Sequence, residues 1–176
     1  MKKFELTTEF ITNFLGTKLF RIKALVEFGK VEKGELGGFV EKEENLDHDG
    51  DAWVSGNAWV YGDARVSGNA EVSGNAEVYG DAWVSGDAEV SGNAWVYGDQ
   101  MYATVKGFGS EYRNTTFFIT KDGNVCVNCG CFSGTLEQFR EKVEETHKDT
   151  KYAKEYLMIA DLMEMHFKEE LEKIKK

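Results

Sequence analysis

Proline is absent from the 176 residues, so every backbone after the first residue keeps its N–H, and a fold that needs an unbroken hydrogen-bonded ladder is open to this chain. No stretch approaches eighteen consecutive apolar residues, which excludes a membrane-spanning helix. The opening MKKFELTTEF has a basic pair but no apolar run of seven or more, so it does not read as a secretory leader, and a cytoplasmic location is expected. Histidine is scarce: there are three, and none lies between His48 and His147. Cationic charge is scarce where it would matter for nucleic acid. Residues 51–100 hold eight acids against Arg65 alone, a balance of −7 within a net charge of −10. Such a segment repels phosphate backbones, so direct nucleic-acid binding is not expected.

What the chain does have is a strict period. Val54, Val60, Val66, Val72, Val78, Val84, Val90 and Val96 are six apart, each preceded two places earlier by alanine and four places earlier by glycine. Gly50 to Tyr97 is therefore eight uninterrupted copies of G-[DN]-A-x-V-[SY]. One such unit cannot bury its own apolar side chains and must stack on its neighbours, which is the logic of a solenoid. The last repeat position reads Ser, Tyr, Ser, Ser, Tyr, Ser, Ser, Tyr from residue 55 to 97, so tyrosine recurs every eighteen residues. Three hexads thus make one turn, and the chain winds a three-sided parallel coil with rungs about 4.8 Å apart.

Strand alternation points alanine and valine inward and the residues flanking each valine outward. One outer face then carries Trp53, Glu71 and Glu89 with serines. Another carries Arg65, Ser67, Trp83 and Ser85, running on to Met101 and Ala103 as the repeat decays. The remaining face holds Trp59, Tyr61, Glu77, Tyr79, Trp95 and Tyr97. An aromatic stripe on an otherwise polar surface marks a contact surface, and Trp59, Tyr61, Tyr79, Trp95 and Tyr97 are the expected oligomer interface, with a homotrimer as the expected assembly. Stacking within the ladder and cover by the chain's own termini are the alternatives. The columns Asn57/Asn75/Asn93 and Asp63/Asp81/Asp99 suit tight corners, and no metal or other cofactor is expected.

Outside the repeat, residues 18–26 alternate loosely as a strand, and residues 1–35 read as a cap over the open coil end. The step from Leu46 to Val54 is eight residues rather than six, so the first coil should bulge at 47–50. After the repeat the pattern becomes mixed α/β. Asp122-Gly123 predicts a hairpin between 115–120 and 124–129, Thr135 an N-cap, and residues from about Tyr152 a second helix with Tyr156, Ile159, Leu162, Met163, Phe167, Leu171 and Ile174 as its packing stripe. Cys126, Cys129 and Cys131 form C-x-x-C-x-C without an adjacent fourth ligand and read as buried structural thiols, with a reactive thiol or a metal site as the other readings. Between repeat and hairpin, the donors Ser110, Arg113, Asn114, Thr115 and Thr116 are the candidate ligand-binding residues, able to hold phosphate or carboxylate, and a polar connecting loop is the other reading. The expected domains are a 1–35 cap, a 36–103 coil and a 104–176 α/β domain.

The repeat V-[SY]-G-[DN]-A-x resembles that of hexapeptide-repeat, left-handed parallel β-helix proteins, among them trimeric acyltransferases and γ-type carbonic anhydrases. That family's enzymes use histidines borne on or between coils, whereas this repeat has none, nor the long loop such acyltransferases extrude. The resemblance therefore implies the fold and leaves an enzyme with His48 or His147 recruited from outside the coil as a lesser reading. KGELGGFVEKEENL before the repeat, with TTFFITKDG and CGCFSGTLEQF after it, is similar to hexapeptide-repeat proteins of bacteriophages and prophages. What that implies is a non-catalytic viral binding protein, working in the host cytoplasm as an inhibitor of antiviral defence, with a defence protein or a nucleotide-type signal as its partner. A structural oligomeric scaffold is the alternative.

Overall fold

The computed structural model describes residues 1–175, and the chain divides into two compact units, Met1–Asp99 and Gln100–Lys176. In the first, strands β1 (Phe4–Thr12), β2 (Lys18–Ala24) and β3 (Leu36–Val40) precede eight two-residue strands: β4 (Trp53–Val54), β5 (Trp59–Val60), β6 (Arg65–Val66), β7 (Glu71–Val72), β8 (Glu77–Val78), β9 (Trp83–Val84), β10 (Glu89–Val90) and β11 (Trp95–Val96). These stack in parallel with an eighteen-residue register, Trp59 on Glu77 and Val60 on Val78, as the tyrosine period requires. The three sides are the columns β3-β5-β8-β11, β4-β7-β10 and β6-β9, and Leu46 is bridged to Val66 below the third. Every alanine and valine of the repeat is buried, at 0% exposure.

The corners explain the glycines. From Gly50 to Gly92 each sixth residue has φ between 64° and 71°, the left-handed region that a side chain disfavours. A Cβ at Gly50 would also stand 2.3 Å from the Gly68 carbonyl of the next coil. The Asn column forms a side-chain ladder, with Asn57 Nδ2 donating to Asn75 Oδ1 and Asn75 Nδ2 to Asn93 Oδ1, each at 3.5 Å.

A stack of coils has an open end whose carbonyls need donors. Here three different devices supply them. The Phe39 N–H of β3 donates to Ala58 O at 2.9 Å. The Asn45 amide, fully buried, donates to Gly62 O at 3.2 Å and Ala64 O at 2.8 Å. The Lys3 ammonium, 3% exposed, donates to Gly50 O at 3.2 Å and Ala52 O at 2.9 Å. Lys3 and Asn45 thus serve equivalent Gly and Ala carbonyls at two of the three corners. Burial lowers the Lys3 pKa, and the carboxylates of Asp47, Asp51 and Asp49 oppose that shift.

The cap is continuous with the coil rather than a separate body. β1 and β2 form an antiparallel hairpin, and β2 pairs with β3, so one sheet runs β1-β2-β3-β5-β8-β11. At the other end the valine column stops at Val96. Met101 and Ala103 do not extend the third face, because β12 (Tyr102–Val105) pairs antiparallel with β13 (Thr115–Ile119), placing Ala103 opposite Phe117.

The second unit is a four-stranded antiparallel sheet, ordered β12, β13 (Thr115–Ile119), β14 (Val125–Cys129) and β15 (Phe132–Thr135), with helices α1 (Leu136–His147) and α2 (Lys151–Ile174). The Asp-Gly hairpin forms between β13 and β14, with Gly123 at φ 72° and its N–H bonded to Thr120 O. Thr135 caps α1 in a capping box with Gln138. The buried row on α2 is Ala153, Tyr156, Ala160, Met163, Phe167 and Glu170, so the expected stripe is displaced: Leu162 is 50% exposed. Two alanines set the packed face, and a pattern drawn through large residues alone passes over them.

Completing the repeat by Gly38→Ala should weaken the protein, although alanine holds this place in all eight regular copies. A Cβ there would meet Ala58 O at 2.6 Å and Val54 Cγ1 at 2.8 Å. We expect a loss of roughly 1–3 kcal/mol in urea unfolding, and about 2–3 kcal/mol for Asn45→Ala, which strands two carbonyls. Unchanged midpoints in both variants would refute this account of the end cap.

Candidate functional site

Three regions hold the side chains singled out by the sequence. The first is the aromatic face. Tyr61 and Tyr79 lie parallel, ring centroids 5.0 Å apart at 4°, the spacing of one rung. Above them Tyr79, Trp95 and Tyr97 meet at 5.4–6.1 Å in tilted and edge-on contacts. The lower part of the stripe is covered by the chain itself. Leu19, Phe39 and Tyr61 form a buried cluster with Ile11, Trp59 and Tyr79 against it, so the hairpin β1-β2 takes up Tyr61, which is only 5% exposed. Trp59, Tyr79, Trp95 and Tyr97 stay half-buried.

Continuous with that sheet is a patch the sequence reading did not single out. The β1-β2 turn exposes Phe14 at 84% and Leu15 at 69%, with Phe10 at 47% on β1. Asn13 fixes the turn through Oδ1, which accepts from the N–H groups of Leu15 at 3.0 Å and Thr17 at 2.9 Å. The only sequence signal was two large apolar residues flanked by Asn and Gly, where turn residues are normally polar.

The second region is the segment before β13. Thr115 and Thr116 belong to β13 and are buried, at 3% and 1% exposure. The Thr115 hydroxyl donates to Cys129 Sγ at 3.2 Å, and Asn114 Nδ2 donates to Thr116 Oγ1 at 3.4 Å. Ser110 and Arg113 are exposed and Asn114 is half-buried. Arg113 has the Glu111 carboxylate 3.6 Å away. The Gly109 N–H, a backbone donor that an anion would need, is given to Glu155 Oε2 at 3.0 Å and holds that carboxyl below its usual range. Of the five candidate donors, Ser110, Arg113 and Asn114 remain open to solvent at least in part, Thr115 and Thr116 are buried in β13, and the neighbouring Gly109 N–H is already bonded.

The cysteines divide differently from the expectation of buried thiols. Cys126 and Cys129 are half-buried, and Cys131 is exposed. β14 ends at Cys129, which pairs with Phe132 across a two-residue turn, and Gly130 at φ 60° takes its first central position. Alternation therefore stops before Cys131. Burial raises the Cys126 thiol pKa, with Glu137 and Asp122 adding to it. Cys129 Sγ lies 3.8 Å from the Tyr156 hydroxyl. Among the described residues no group of three His, Cys, Asp or Glu is arranged to hold a metal.

The third region is histidine. His48 stacks on Phe4 at 4.4 Å, its Nδ1 accepts the Lys3 N–H at 3.2 Å, and its Nε2 lies 3.8 Å from Glu43. His147 ends α1 between the rings of Tyr152 and Tyr156, at 6.1 and 5.7 Å. The two belong to different units. No family model matches this chain, and no curated protein matches it.

Burial is the largest influence on the tyrosines of the aromatic face. It pushes Tyr61 from 10.0 up to about 12, with Glu77 adding to the shift, and raises Tyr79 as well. Neutral burial thus stabilises the fold fully below pH 10, and that contribution is lost as pH rises through the folded value. In an alkaline titration at a wavelength that reads tyrosinate, a late component should appear near pH 12, and Tyr61→Phe should reduce it, with Tyr79 and Tyr156 still ionising late through their own burial. All seven tyrosines ionising together near pH 10 would show that the cluster is not closed to water.

Proposed function

We propose that this chain is a non-catalytic binding protein that acts by presenting the outer faces of a rigid coil. The observation that carries the reading is the apolar surface of one sheet: the exposed Phe14-Leu15 turn at its hairpin end, and the half-buried Tyr79, Trp95 and Tyr97 on its outer face. Isolated exposed apolar residues need no explanation, but several of them on one sheet of an otherwise acidic coil mark a contact surface. Its occupants are proteins: copies of this chain in a homotrimer, and a host partner. The similarity to phage proteins supports a bacterial defence protein in the host cytoplasm as that partner. A nucleotide-type signal receives less support, because Thr115, Thr116 and the Gly109 N–H are already committed.

A structural scaffold is the second reading, favoured by the same sheet, because a self-complementary apolar face alone suffices for assembly. In this reading the homotrimer is the functional product and no further partner exists.

Native mass spectrometry of the purified chain should give a trimer without a small-molecule adduct. Phe14→Asp with Leu15→Ser should leave the fold intact and weaken assembly at least about tenfold, since each large apolar side chain withdrawn from water contributes roughly 1.5–3 kcal/mol. Capture of one defined host protein by the wild type and not by this variant would support the binding reading over the scaffold. A monomeric wild type with no captured protein would overturn both.

A further inference from the structure

On the β6-β9 side of the coil lies a groove of about 380 Å³, lined by Glu43, Glu44, Leu46, Asp47, His48, Arg65, Val66, Ser67 and Trp83. It lies wholly within the first unit, on the side formed by β6 and β9 rather than in the aromatic sheet. Three observations set it apart from the rest of the coil surface.

Trp83 is 55% exposed, the most open of the four tryptophans, on a side otherwise made of small and charged residues. Its ring is held in place. The indole N–H donates to Ser67 Oγ at 2.8 Å and the backbone N–H to Asp99 Oδ1 at 2.8 Å. A large aromatic ring fixed by hydrogen bonds while half its surface meets water forms a ready-made platform, and little ordering entropy remains to be lost when something lies on it.

Arg65 is the register partner of Trp83, one rung away, and the one basic residue among the eight acids of the repeat. Its guanidinium forms no ion pair or hydrogen bond with any described residue, although Glu44 and Asp47 line the same groove. Glu44 is exposed and likewise without a side-chain partner, and Asp47 uses one oxygen for the Asp49 N–H at 3.1 Å. A guanidinium and two carboxylate groups thus share one depression without neutralising each other.

The charge pattern selects the ligand. An anion would meet Glu43, Glu44 and Asp47 within a strongly acidic coil; a cation would meet Arg65 beside the Trp83 ring. A neutral ring with several hydroxyls meets neither objection. It can donate to Glu44 and Asp47, accept from Arg65, and lay its C–H face on Trp83. Polar groups of both kinds around one apolar surface, in a cavity of this size, are what a small neutral polyol needs. We propose that this groove is a binding site for a neutral saccharide ring, with Trp83 as the platform, Arg65 as donor, and Glu44 and Asp47 as acceptors.

The test uses the indole N–H signals of the full chain in proton–nitrogen NMR, with the Trp83 signal assigned by Trp83→Phe and the other three reporting that the fold is kept. The probes are methyl β-glucoside, methyl β-galactoside, methyl α-mannoside and N-acetylglucosamine, with inorganic phosphate, adenosine and a lysine methyl ester as comparisons. A saturable shift of the Trp83 signal with at least one saccharide, and none with the comparisons, is the expected result. Arg65→Ala and Glu44→Gln should each weaken that binding about tenfold, the effect of one charge-assisted hydrogen bond. No response to any saccharide up to about 50 mM, where even a millimolar site would saturate, overturns the proposal. So does a response led by phosphate, the nucleoside or the cation.

Discussion

Everything in the first unit depends on equal coil length. From Trp53 onward, each backbone N–H that reaches across to the next rung finds the carbonyl seventeen residues later, Trp53 to Ala70, Trp59 to Ala76, Arg65 to Ala82. One residue more or less within a strand would move its valine to the outer face, since side chains alternate along a strand. The absence of proline, the glycine at each corner and the small alanine beside each valine all follow from that requirement. The one longer coil still keeps its strands in register. Val40 pairs with Val60, twenty residues on, and the two additional residues are absorbed by the turn after Leu46, outside the strands.

The coil was legible because its information is local and repeated. Valine and alanine spacing gave the inner columns, tyrosine spacing gave the number of sides, and the eight-residue step gave the place of the bulge. Thr135 and Asp122-Gly123 were legible for the same reason: a cap or turn is decided by residues within a few positions of each other. What stayed hidden was decided at a distance. β1 shows no clean alternation, because only some of its side chains meet β2 and it ends in an exposed apolar turn. Lys3 and Asn45 look like ordinary surface residues until the Gly and Ala carbonyls of the first coil are placed over them.

The candidate sites show the same division. The aromatic stripe could be read from sequence, but the share of it taken by the chain's own hairpin could not, since Leu19 and Ile11 lie more than forty residues from Tyr61. The donors before β13 could be counted, yet their direction depended on where that strand begins. Trp83 and Arg65 were placed correctly on one side of the coil. Their joint significance rests on Glu44, Asp47 and His48, which the irregular first coil brings to the same depression.

The eighteen-residue rung also constrains how such a gene can change. Duplicating one hexad would lengthen the coil by a third of a turn, so the chain would leave it from a different side and each outer column would break at the insertion. Duplicating three hexads would add one rung and return the chain to the same side, with every column intact. The eighteen-residue unit is thus the step in which this coil can grow or shrink without loss of its columns, and the single hexad is not.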